Sequence, residues 1–218
     1  LSWLILGLLI AWTLAKGFFP DSYRGLEPAA YWAMGAAAAF GLLVSIVFHE
    51  LWHSLVARKF GLTMKGITLF IFGGVAEMPE EPRNPRAEFF MAAAGPVSSI
   101  VLGAALVGLA ALGQGGGWPR PVVGVANYLG FLNLVLAGFN LIPAFPLDGG
   151  RILRAVLWGW KDNLRWATRI ASNIGSAFGL FMVFIGALQF IFGNLVGGMW
   201  LFLIGMFLRG AAQSTLSR

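Results

Sequence analysis

Six long apolar runs constrain this chain more than any other feature. They lie at about 2–19, 29–57, 87–112, 121–142, 167–192 and 194–211, each close to the roughly 20 residues that a helix needs to cross a bilayer. Apolar residues make up 58% of the 218 positions and charged ones only 11%, with a mean hydropathy of +0.79, far from a soluble domain. The 30 glycines suit close packing of helices in lipid. The expected fold is an all-α polytopic membrane protein of about six transmembrane helices. Its first residue is Leu1, already inside an apolar run, so a fragment of a longer protein is expected and the first residues need not be a signal peptide.

Residues 62–78 break the pattern. Ile67-Thr68-Leu69-Phe70-Ile71-Phe72 is β-branched and aromatic, too short to span, and is followed by Gly73-Gly74 and Val75-Ala76. This predicts a small β-hairpin between the second and third helices. Exposed strand edges are not tolerated in lipid, so one edge has to face protein, water or a substrate. A plain surface hairpin at the membrane interface is the alternative.

The pI near 10.3 invites a nucleic-acid reading, but no basic and aromatic cluster on a polar surface supports one. Membrane topology accounts for the charge instead. With six alternating spans, one side receives twelve of the fifteen basic residues, from Arg58 and Lys59 through Arg209 and Arg218, while the other has Lys16, Arg24 and Arg120. The rich side is expected to be cytoplasmic, with both termini there.

The only two histidines fall within five residues, His49-Glu50-Leu51-Trp52-His53, at the end of the second run. Four apart on a helix, they share a face and can hold one zinc ion, with Glu50 beside them to take a proton from water. A catalytic zinc usually has three protein ligands. With no cysteine and no third histidine, the missing ligand is a carboxylate. Asp148 is the first choice: it follows Asn140-Leu141-Ile142-Pro143-Ala144-Phe145-Pro146-Leu147, where prolines end a helix, and precedes Gly149-Gly150, where a tight turn can aim it back toward the bundle. It could instead cap a helix starting near Arg151. Glu77, Glu80, Glu81 and Glu88 remain as alternative ligands. Asn140 is placed to donate to an oxyanion, and Asn133, one face with it, to bond a neighbouring helix.

These residues resemble the site-2 protease family of intramembrane zinc metalloproteases. The resemblance rests on His49 to His53 ending a transmembrane helix and on Asn140 through Gly150, with Phe72-Gly73-Gly74 and Ala94-Gly95-Pro96 as further landmarks. It implies a single transmembrane protease domain over 1–218, with a catalytic core at about 29–160. It further implies one Zn2+ per chain on His49, His53 and Asp148, with Glu50 as general base and Asn140 assisting. The substrate would be another protein's transmembrane segment, held in extended form along the hairpin at Phe72, Gly73 and Gly74. The protein would be a multi-pass cell membrane protein embedded in the lipid bilayer, its active site toward the cytoplasm. No PDZ-like insertion separates the second and third spans, which resembles compact members, some of which continue into CBS domains. A catalytically silent scaffold or a transporter is the competing class.

Overall fold

The computed structural model describes residues 2–62, 67–70, 73–76 and 82–216. The elements are α1 (Ser2–Thr13), a π-helical segment (Leu14–Phe18), α2 (Phe19–Ser22), α3 (Pro28–Lys59), β1 (Ile67–Phe70), β2 (Gly73–Ala76), α4 (Pro85–Gly115), α5 (Arg120–Asn140), α6 (Asp148–Lys161), α7 (Leu164–Ile191) and α8 (Leu195–Leu216). They fall into two compact units. One takes the described residues up to 76 with Ala94–Gly138, and the other takes 82–93 with Phe139 onward.

In the first unit α1 widens into the π-helical segment before Pro20, which has no N–H to offer the carbonyl four residues back. The Tyr31 hydroxyl donates to the Tyr23 carbonyl (2.7 Å) and accepts from the Leu26 N–H (3.2 Å), pinning the turn into α3. Leu14, Phe19, Met34 and Ala38 form a core against Tyr128 of α5, whose ring lies 5.6 Å from that of Phe19. Further along, α4 and α5 approach closely where Gly103 and Gly130 face each other; a Cβ on either would press on the other's carbonyl oxygen. Lipid offers no hydrophobic drive between helices, so such small-residue contacts supply the packing. β1 and β2 pair antiparallel, Ile67 opposite Ala76 and Phe70 opposite Gly73, and β2 runs beside α3.

The second unit is built on α7 and α8, packed along their lengths with Gly179 against Gly205 and Gly186 against Gly198. The turn between them uses Gly193 at φ +86° and Asn194, whose Oδ1 accepts from the Gly197 N–H (3.0 Å). α6 is amphipathic and packs on α7. The corner between them places Asp162 at φ 48° and uses Asn163 as a cap, accepting from the Trp166 N–H (2.9 Å).

Among the described residues, five helical stretches are long and apolar enough to cross a membrane: Leu4–Ser22, Pro28–Lys59, Pro85–Gly115, Arg120–Asn140 and Leu164–Ile191. The region expected as a sixth span, about 194–211, is the helix α8, Leu195–Leu216.

Candidate metal centre

The centre is best built from α3 outward. His49 and His53 are 4% and 8% exposed, although α3 also carries exposed Leu51 and Trp52 on its other side. Their rings meet edge to face at 4.9 Å, and the two Nε2 atoms lie 3.2 Å apart. Two zinc–nitrogen bonds of ~2.05 Å at a tetrahedral angle separate the nitrogens by ~3.3 Å, so the pair is set for a shared ion.

Two residues of α4 prepare that pair. His49 Nδ1 lies 2.9 Å from the wholly buried Ser99 Oγ. With the ring proton on Nδ1 and donated to Ser99, the Nε2 lone pair is free for a metal, which is how ligand histidines are commonly oriented. One turn earlier, Gly95 leaves the space in front of both imidazoles open: the nearest atoms to a Cβ built there are His53 Nε2, His49 Nε2 and His53 Cε1. The donor chemistry and this open space both fit zinc. Ser99→Ala should keep the fold and weaken zinc binding about 10–100-fold, the usual cost of losing a ligand's hydrogen-bond partner; competition with a chelator measures it.

The remaining predicted residues divide between the two units. Glu50 is half-buried, and its backbone carbonyl accepts from Ser54 Oγ (3.1 Å). Trp52 packs edge-on against Phe48 of its own helix, ring centroids 6.1 Å apart. One turn before His49, Ser45 Oγ accepts from Asn133 Nδ2 (2.9 Å), so Asn133 does bond across helices. Gly73 and Gly74 lie in β2, paired with Phe70 and Leu69. Phe72 lies outside the described residues, as do the alternative ligands Glu77, Glu80 and Glu81.

In the second unit Asn140 is the last residue of α5 and half-buried. Asp148 opens α6, with Leu147 as the residue before it at φ −66°, ψ 161°. The helix thus starts three residues earlier than the sequence suggested. Asp148 is not its cap but a first-turn residue, where unpaired N–H groups favour a carboxylate. Gly149 and Gly150 are helical rather than turn-forming. They are small because the chain folds back on itself, and a Cβ on Gly149 would strike the Leu141 and Ile142 carbonyls. Glu88 is wholly buried and ion-paired with Arg154, which removes it as a free ligand.

This chain matches the model of peptidase family M50 over residues 37–125 and 118–186, more than half its length. The chain belongs to peptidase family M50. Rip3 of Mycobacterium tuberculosis is 39% identical over 217 residues, covering all of this chain and 55% of that protein. The zinc metalloprotease MJ0392 of Methanocaldococcus jannaschii is 41% identical over 153 residues, 68% of this chain and 42% of its own length. A solved structure, the site-2 protease from Methanocaldococcus jannaschii, aligns with a TM-score of 0.63 at 33% identity, covering 99% of this chain and 88% of that one. The family is thus the site-2 proteases, metalloproteases whose metal is zinc, and the M50 chain described above is a multi-pass membrane protein. It spans about half the length of the curated relatives it matches.

Two site residues escaped the sequence reading. Ser99 was not singled out, and Gly95 was noticed only as a landmark. Their four-residue spacing puts both on one face of α4, and a serine pair inside an apolar run is the signal that could have flagged them.

Proposed function

We propose that this M50 chain is an intramembrane zinc endopeptidase that hydrolyses a peptide bond within or near the transmembrane segment of another membrane protein. The observation that carries the reading is the pair of buried imidazoles, Nε2 atoms 3.2 Å apart, facing the space kept open by Gly95 on an apolar helix. Relatives named as zinc metalloproteases support it. His49, His53 and Asp148 supply the donor set, two imidazoles and one carboxylate. Zinc, when bound, supplies a Lewis acid that polarises the scissile carbonyl and acidifies water.

The chain's own groups do the rest. Glu50 takes the proton of the attacking water, holds it, and delivers it to the leaving amine. Asn140 donates a hydrogen bond to the oxygen on which charge develops. A helical substrate hides its carbonyls in hydrogen bonds, so it has to unwind before attack. The segment holding Phe72, Gly73 and Gly74 receives the unwound stretch as an added strand, which satisfies its freed backbone groups. The basic residues that follow α3 and α5 in the sequence support an orientation with this chemistry toward the cytoplasm.

The test is cleavage of a transmembrane reporter by the protein reconstituted in lipid vesicles, with products identified by mass. Chelation should stop cleavage and added zinc restore it. Asp148→Asn should lower zinc affinity by more than the ~100-fold upper cost of losing an outer partner, and cleavage with it. Unimpaired zinc binding in Asp148→Asn would end its assignment as ligand, and an uncut reporter with zinc bound would end the protease reading.

A further inference from the structure

We propose that Glu88 and Arg154 form a brace that holds the segment before Asp148 and so sets the direction of its carboxylate; this rests on Asp148 being a zinc ligand. Glu88 is wholly buried and Arg154 is 6% exposed. Arg154 Nε donates to Glu88 Oε1 (2.7 Å), and a terminal guanidinium nitrogen meets the same oxygen. Glu88 Oε2 is buried with no hydrogen-bond partner, so Arg154 is the group that orients this carboxylate. An ion pair taken out of water gains little over apolar residues of equal volume. Its value here is in aiming the guanidinium.

The aimed group lies over Phe145, its central carbon 5.3 Å from the ring centroid, where a flat guanidinium can stack on the ring while its fork holds Glu88, a combination that an ammonium does not reproduce. Phe145 is confined on its backbone side as well. A Cβ on Gly175 would lie 2.8 Å from the Phe145 nitrogen, and one on Gly150 would lie 2.7 Å from its Cα. The Leu147 N–H donates to the Ala144 carbonyl (2.9 Å), and the Leu147 carbonyl accepts from the N–H groups of Gly150 (3.0 Å) and Arg151 (3.2 Å). The segment therefore has no slack between Phe145 and Asp148. Arg154 and Asp148 also ride on the same helix, six residues or ~9 Å apart along its axis. Glu88 and Arg154 are positioning residues in this scheme: neither touches the metal or the substrate.

The double variant Glu88→Leu/Arg154→Met removes both charges at similar volume, and Arg154→Lys keeps the charge without the flat fork. Both are measured in the full chain for thermal unfolding and for zinc affinity by chelator competition. The double variant should melt near the wild type yet bind zinc about 10–100-fold more weakly, and Arg154→Lys should not restore wild-type affinity. Wild-type zinc affinity in the folded double variant would overturn the brace. If the double variant does not fold, Arg154→Lys decides: weakened zinc binding in a chain of normal melting temperature supports the brace, and wild-type affinity overturns it. Asp148→Asn separates the two ideas. Should it leave zinc affinity unchanged, the ligand assignment has failed; should it weaken zinc while the brace variants do not, only the brace has failed.

Discussion

Gly95→Ala is expected to abolish stoichiometric zinc while leaving the fold intact. Alanine in place of a helical glycine ordinarily stabilises by about 0.5–1 kcal/mol. The nearest atoms to the new Cβ belong to the two imidazoles and none to a neighbouring backbone, so α4 need not move. The rings have to turn away instead, and with them the two nitrogens now 3.2 Å apart. Zinc per chain, measured by emission spectroscopy, should fall from one toward zero, with a melting temperature at or above that of the wild type. A Gly95→Ala protein that keeps zinc at wild-type affinity would show that the imidazoles do not receive metal from this side.

Glu50→Gln is expected to do the opposite: zinc stays and cleavage goes. Glutamine preserves the shape of the side chain and removes its basicity, and losing a general base typically costs about 10²–10⁴ in rate, or roughly 3–5 kcal/mol of barrier. His49 and His53 keep their geometry on α3, since the substitution leaves the helix backbone and the length of the side chain unchanged. The readouts are zinc content and single-turnover cleavage of the reporter. Full activity in Glu50→Gln would remove Glu50 from the mechanism and with it the protease reading. Taken with Gly95→Ala, the pair separates holding the metal from using it.

Legibility along the chain followed the range of the interactions involved. The histidine pair could be read from two positions on one helix, because a spacing of four residues fixes a common face whatever surrounds it. Helix positions could be read from apolar runs for the same reason: α3, α4, α5 and α7 begin and end within a few residues of the expected limits. The start of α6 was misplaced by three residues because Gly149 and Gly150 look like a turn. In the structure they are helical residues, Gly149 kept small by the carbonyls of residues 141 and 142 and Gly150 by the backbone of residues 144 and 145.

Membrane character, the apolar helices and the histidine pair were thus inherent in the order of residues, because each arises from periodicity within a single helix or from solvent preference. Three features came only with the folded structure. Ser99 faces His49 Nδ1, Gly95 opens the space before both rings, and Glu88 takes Arg154 out of the basic loop in which its letter placed it. Each joins positions some 40 to 66 residues apart, and such contacts depend on which helix faces pack together. No local spacing encodes that choice; the close packing of small residues between helices decides it.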